Sequence, residues 1–206
     1  MDYQTLEYVY EPSGDPQAKT LLLLHGTGGD ERDLLSLTKY FGSGFNVLSL
    51  RGNVTENGMP RFFKRLGMGI FDERDLEFRA CEMVSFIKQL SIKHNFDTSK
   101  IVALGYSNGA NIAGAVLTIS PDFLAGAILF RPMQPFQNKG PLPDHTGTPI
   151  FITTGNLDPT INIIGTEHYI KLLEKSGFDV VHFEIEAGHN LTQEDIDLAV
   201  LWFKRL

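Results

Sequence analysis

Short, almost unbroken apolar runs alternate along the chain with longer segments in which apolar residues recur at helical period. The runs Thr20 to His25 (TLLLLH), Asn46 to Leu50 (NVLSL), Ile101 to Tyr106 (IVALGY), Gly126 to Phe130 (GAILF) and Pro149 to Thr154 (PIFITT) have the pattern of strands covered on both faces. Between them, the spacing predicts helices over Glu31 to Phe41, Asp75 to His94, Asn108 to Ile119, Thr166 to Ser176 and Gln193 to Leu206. Strands that alternate with helices imply βαβ units, hence an α/β fold built on a mostly parallel sheet. Thr5 to Glu11 alternates and suits an edge strand, and Val180 to Glu186 supplies the last strand. Asp30 and Thr192 are placed as N-caps, each followed three residues on by an aspartate, Asp33 and Asp195, at the end of a helix that favours negative charge.

Two stretches break the alternation: Arg51 to Phe71 and Arg131 to Thr148. Both follow strands, and in open α/β sheets ligands sit beyond the carboxyl ends of strands. They are therefore candidate substrate loops, with the plainer alternative that they are long connections. In the first, Met59, Phe62, Phe63, Met68, Ile70 and Phe71 either wall an acyl or aryl group or form the buried side of the loop. Arg51, Arg61 and Arg131 either meet a polar substrate group or are solvated at the surface.

At 206 residues the chain fits one domain, 1–206, with a sizeable core. The net charge of −7 argues against nucleic acid or an anionic membrane surface as partner, since both call for a basic face. The opening MDYQTLEYVYEPSGDP has neither a basic start nor an apolar run, so no secretory signal is expected, nor a membrane span, and the expected location is cytoplasmic. Cys81 is the single cysteine, which excludes an intrachain disulfide and weakens a cysteine-based metal site; beside Leu76, Ala80, Met83, Ile87 and Leu90 it reads as a packed thiol. No metal is expected.

The candidate chemistry centres on Gly105-Tyr106-Ser107-Asn108-Gly109, a G-x-S-x-G pattern that arises by chance in on the order of 0.07 of chains this long. Its position between a strand and a helix is the context in which such a turn lifts a serine above a sheet. A serine hydroxyl needs a base, and the base an orienting carboxylate. Asp158, in GNLDP, and His189, in AGHN, each follow a strand, in the Ser, Asp, His order of this turn. His94 and His168 lie on helices and are expected to be solvated, His182 lies inside a strand, and His145 precedes the acid in chain order. His25 opens His25-Gly26-Thr27-Gly28-Gly29 and reads as scaffold. This glycine-rich stretch matches neither phosphate-binding spacing; the better reading is half of an oxyanion hole, with the backbone N–H groups of Thr27 and Asn108 as donors.

Taken together, HGTGGDERDL, RGNVTENGMPRFFKRL, GYSNGA, GNLDP and GHNLTQEDI resemble the α/β-hydrolase superfamily, and within it the phospholipase/carboxylesterase branch of small bacterial carboxylesterases and acyl-protein thioesterases. The resemblance spans nearly the whole chain. It implies an α/β-hydrolase fold with helices on both faces of the sheet, Ser107 as nucleophile, His189 as general base, Asp158 as its partner, no cofactor, an ester or thioester of a small molecule as substrate, and often a homodimer. The thioesterases usually carry leucine after His-Gly and glutamine after the nucleophile. Here those positions hold Thr27 and Asn108, a departure towards the bacterial esterases. The alternatives are a non-catalytic receptor or scaffold on the same fold, or a lactone or peptide hydrolase with the same triad.

Overall fold

The computed structural model describes residues 3–67, 69–142, 147–160 and 162–206. In chain order it forms β1 (Tyr8–Glu11), β2 (Thr20–Leu24), a short helix α1 (Thr38–Phe41), β3 (Asn46–Leu50) and two small ribbons. The first ribbon pairs β4 (Val54–Glu56) with β5 (Met59–Arg61), and the second pairs β6 (Arg65–Gly67) with β7 (Ile70–Phe71). There follow α2 (Glu73–His94), β8 (Ile101–Tyr106), α3 (Asn108–Ile119), β9 (Gly126–Phe130), β10 (Pro149–Gly155), α4 (Ile163–Lys175), β11 (Asp179–Ile185) and α5 (Gln193–Phe203).

Seven strands make one sheet in the order β1-β3-β2-β8-β9-β10-β11. Every neighbouring pair is parallel except β1 with β3. The leucine run of β2 shows why its strand carries no polar alternation. Leu22 and Leu24 join the core beneath α2 and α3, while Leu21 and Leu23 join the core on the other side with Ile196, Trp202 and Phe203 of α5. Successive side chains of a strand point to opposite faces, so helices on both faces demand apolar residues throughout. Each fully buried leucine contributes about 1.5–3 kcal/mol.

Three local expectations are corrected. Glu31 to Phe41 is not one helix: it is a run of turns, a 3-10 segment Leu35–Leu37 and the four-residue α1. Its backbone bonds run three residues back, as in Leu35 N to Arg32 O and Leu37 N to Leu34 O. Polar side chains compete for the groups a helix would use: Asp30 Oδ1 accepts from Arg32 N at 2.8 Å, and Thr38 Oγ1 donates to Leu35 O at 2.8 Å. Asp30 therefore opens a turn instead of capping a helix. His94 is half-buried and packed instead of freely solvated. Its ring stacks on Tyr10 at a centroid distance of 4.3 Å and bonds the Tyr8 hydroxyl at 3.0 Å, and burial, aided by Lys93, lowers its pKa.

The Thr192 cap is present as a full capping box with Asp195, and Asp195 does more than cap. Its carboxylate is wholly buried and meets the equally buried Arg131 guanidinium end on, Nη1 to Oδ1 at 2.6 Å and Nη2 to Oδ2 at 2.8 Å. Thr153 Oγ1 donates to Oδ1 at 2.6 Å, and Thr192 donates to Oδ2 through its amide and its hydroxyl. The pair thus ties the start of α5 to the ends of β9 and β10. Burial alone would raise the Asp195 pKa, but the hydrogen bonds from Arg131 and Thr153 outweigh it and hold it below the ordinary value.

Asp195→Ala would leave Arg131 buried without its counter-charge, so denaturant titration at neutral pH should show a loss of about 3–5 kcal/mol. The folded pKa is depressed, so this contribution is complete above the unfolded value of about 3.9 and disappears as the pH falls through the lower folded one. The difference between native chain and variant should accordingly shrink in acid.

Candidate active site

Parallel strands deliver their following loops to one edge of the sheet. Thr27 follows β2, Ser107 follows β8, Arg131 follows β9, Asp158 follows β10 and His189 follows β11. At that edge His189 Nε2 lies 2.9 Å from Ser107 Oγ, and His189 Nδ1 lies 2.6 Å from Asp158 Oδ2. The three side chains that the sequence places far apart thus form one hydrogen-bonded line.

Ser107 has φ 52° and ψ −110°, a region that costs a non-glycine residue roughly 1–3 kcal/mol. The turn is held from both sides: Ser107 N donates to Phe130 O at 2.9 Å, and Asn111 N reaches back to Ser107 O at 2.9 Å. The flanking glycines are required by contact. A Cβ at Gly105 would sit 2.6 Å from Ala110 N, and one at Gly109 would drive into the carbonyl of Leu24. The sharp corner exists because β8, β2 and the start of α3 approach backbone to backbone there.

Asp158 and His189 meet because β10 and β11 are in-register neighbours, with Gly155 opposite Ile185. Beyond the strands the loops stay zipped through Asn156 N to Ile185 O and Leu157 N to Ala187 O, both 3.0 Å. Gly155 has no side chain to hold the Ala187 carbonyl away. Asp158 is buried, and Thr160 donates to its Oδ1 through the hydroxyl at 2.7 Å and the amide at 2.9 Å. Burial pushes the Asp158 pKa up, and the bonds from Thr160 and His189 more than reverse it, so the carboxyl titrates below its ordinary value. The Thr160 hydroxyl also lies 2.9 Å from His189 Nδ1.

The backbone of the His189 loop is gripped at three successive carbonyls. Arg131 Nε donates to Gly188 O at 3.1 Å, the Tyr106 hydroxyl to His189 O at 3.2 Å, and Arg131 Nη2 to Asn190 O at 3.3 Å. Arg131 borders the cavity, but its guanidinium is committed to the Asp195 pair and this loop, so it is a positioning residue and not the expected substrate contact. Sequence reasoning missed Tyr106 and Thr160. The signal for Thr160 is the D-P-T step, in which an aspartate accepts from the backbone two residues on.

Thr27, Asn108, Ser107 and His189 border one cavity of about 240 Å³, together with Arg61, Arg65, Gly69, Phe71, Tyr106, Asn111, Met133 and Thr160. The first ribbon braces this region: Gly28 N donates to Pro60 O at 2.9 Å, Arg61 Nη1 to Thr27 Oγ1 at 2.6 Å, and Phe62 N to Asn108 Oδ1 at 2.7 Å. His25 serves as scaffold: its Nε2 accepts from Gly52 N at 3.0 Å, leaving Nδ1–H to donate to Gly26 O at 2.6 Å. Burial lowers its pKa.

Of the expected pocket residues, Phe71 lies on the cavity wall. Phe62 and Phe63 do not, being buried in the core beneath α2, where Phe62 packs tilted against His25 and Phe63 meets Phe71 edge to face. Met59 is partly exposed and sits beside Gly28 instead of in the cavity. Met68 and His145 lie outside the described residues. Arg61 is buried, not solvated, while Arg51 is engaged with Glu31 and Glu7. Among the described residues no cluster of three or more His, Cys, Asp or Glu side chains is placed to hold a metal ion, and no helix is long and apolar enough to cross a membrane.

A family model described as phospholipase/carboxylesterase matches residues 7–200. The chain is 43% identical to MhqD of Bacillus subtilis (strain 168), named as a hydrolase, over 97% of this chain and 98% of that one. Its fold superposes on the Bacillus cereus carboxylesterase with a TM-score of 0.93 at 42% identity, covering 97% of this chain and 94% of that one. It is 27% identical to acyl-protein thioesterase 1 of Candida albicans over 63% of this chain and 60% of that one. The chain belongs to the phospholipase/carboxylesterase family of α/β-hydrolases. It is a hydrolase of the esterase or thioesterase type.

Gly109→Ala should prevent the corner from closing, since the added methyl meets backbone, not a yielding side chain. Urea unfolding should register a loss of about 4 kcal/mol or more, or no folded protein. The same substitution at Gly140, where nothing lies within 4 Å of the new Cβ, should leave the midpoint close to that of the native chain.

Proposed function

We propose that this chain, acting as one α/β-hydrolase unit, cleaves carboxylic esters or thioesters of small or medium acyl or aryl groups through an acyl-enzyme on Ser107. The observation that carries this reading is the line from Ser107 Oγ through both nitrogens of His189 to Asp158, at 2.9 and 2.6 Å. Both distances suit proton transfer and orientation. Ser107 Oγ bonds to the substrate carbonyl carbon as its proton passes to His189 Nε2. The imidazolium so formed is stabilised by ionised Asp158, which also keeps the proton of Nδ1 in place.

The carbonyl oxygen takes up negative charge, and the N–H groups of Thr27 and Asn108 receive it. Such a donor contributes about 3 kcal/mol of transition-state stabilisation. Collapse breaks the bond to the alcohol or thiol, which leaves with the proton held on His189. Water then loses a proton to His189, attacks the acyl carbon and releases the acid, and Ser107 regains its hydrogen. Thr27 and Asn108, where the thioesterases carry leucine and glutamine, agree with the higher identity to bacterial hydrolases and favour small substrates.

A fluorophosphonate should label the native chain at Ser107 and leave Ser107→Ala untouched; failure of the native chain to label would favour a non-catalytic receptor. Asp158→Asn should lower kcat on p-nitrophenyl esters by about 10⁴-fold with an unchanged circular dichroism spectrum. Near-native turnover would point to another carboxylate. A panel of acyl thioesters, lactones and peptides should show slower cleavage of the last two classes.

A further inference from the structure

Among the described residues, hydroxyl groups border the cavity at Thr27, Tyr106, Ser107 and Thr160. The last three have an acceptor for their proton. Tyr106 donates to His189 O at 3.2 Å, Ser107 to His189 Nε2 at 2.9 Å and Thr160 to Asp158 Oδ1 at 2.7 Å. Thr27 differs. Its Oγ1 accepts from Arg61 Nη1 at 2.6 Å, and among the described residues nothing accepts the proton it carries. A guanidinium has no acceptor atom, so this contact uses a lone pair of the hydroxyl and leaves its proton free.

The backbone of the turn shows the same division. In His25-Gly26-Thr27-Gly28-Gly29 the amide of Gly28 donates to Pro60 O at 2.9 Å and that of Gly29 to Gly26 O at 3.1 Å. The amide of Thr27 meets no acceptor among the described residues. This exposed residue of the cavity wall thus holds two donors in reserve, N–H and Oγ1–H, where its neighbours have spent theirs. Donors fixed in place before charge develops are what an oxyanion site requires.

Arg61 supplies the fixing. It is 4% exposed, and its Nε donates to Phe63 O at 3.3 Å, so Oγ1 is anchored to a side chain that is itself held. A hydroxyl that accepts from a cation is polarised and gives a stronger bond in turn.

We propose that the Thr27 hydroxyl is a third donor of the oxyanion hole, a catalytic group that bonds the substrate carbonyl oxygen as it becomes negative, with Arg61 as its positioning residue. The proton stays on Oγ1 throughout: the contact tightens as charge builds on the oxygen opposite and loosens when the tetrahedral species collapses. This rests on the hydrolase reading above and adds a side chain to its machinery.

A bond made to the transition state and not to the free ester acts on kcat. Thr27→Val, which keeps the backbone N–H and the branched shape, should lower kcat and kcat/KM for p-nitrophenyl butyrate together, by about 10²-fold. Thr27→Ser, which keeps the hydroxyl, should stay within a few-fold of the native chain. A Thr27→Val chain that turns over as fast as the native one would overturn the proposal and leave ester hydrolysis intact.

A second measurement needs no variant to fold and separates donation to the oxyanion from mere anchoring of Arg61. Phenethyl trifluoromethyl ketone forms a tetrahedral adduct with an activated serine. In a crystal structure of the native chain carrying it, Thr27 Oγ1 should lie about 2.5–2.8 Å from the adduct oxygen. An adduct whose oxygen meets the amides of Thr27 and Asn108 but lies beyond hydrogen-bonding reach of Oγ1 would overturn this inference alone. A native chain that neither forms the adduct nor cleaves esters would overturn the hydrolase reading, and this inference with it.

Discussion

The buried pair of Arg131 with Asp195 is the contact on which the geometry of this site depends. Breaking such a pair costs far more than its formation contributes, because the survivor is left as an uncompensated charge. That asymmetry makes it a strong constraint on position. Arg131 stands at the end of β9 with φ 55°, and its side chain reaches Thr153 of β10, the first turn of α5 and the carbonyls on either side of His189. One guanidinium therefore fixes how β10, the last helix and the histidine loop sit relative to one another. The sheet supplies the parallel ends, and Arg131 sets the loop that carries the imidazole.

The opposite wall is organised by the first ribbon. Arg61 of β5 holds Thr27, and the amide of Phe62, the residue that follows β5, holds Asn108, the two proposed oxyanion donors. The stretch that interrupts the βα alternation is thus a brace for the site, and the strained serine corner lies between this brace and the Arg131 lattice. Strain at a functional residue persists where its surroundings over-determine it, and here close backbone packing at Gly105 and Gly109 does so from below.

Much was legible in the sequence because it depends on local or periodic properties. Strands buried on two faces need unbroken apolar runs, and β3, β8 and β9 have the boundaries that pattern marks. Thr192 and Asp195 declare a capping box, and G-x-S-x-G declares a corner that only glycine permits. Within the stretch from Arg51 to Phe71, expected as a loop, the structure instead forms the ribbon of β4 and β5, whose turn Asn57-Gly58 has φ 51° and 78°, the pairing favoured by two-residue hairpin turns. By contrast, Glu31 to Phe41 has helical spacing but too many side chains that compete for its backbone, and tertiary packing settled it as turns.

What the sequence by itself determined is the alternation of strands and helices, the order of Ser107, Asp158 and His189 and the glycines that a sharp corner requires, since these follow from steric and periodic rules acting within a few residues. Only the tertiary structure decided that Arg131 points into the protein and not at a ligand, that Phe62 and Phe63 belong to the core, and that Thr160 and Tyr106 hold the imidazole. The reason is that an arginine or a phenylalanine has the same local signature in a pocket, a core or an ion pair. Which of these it joins is fixed by groups such as Asp195, Glu56 and His25 that lie far away along the chain and arrive only through the sheet.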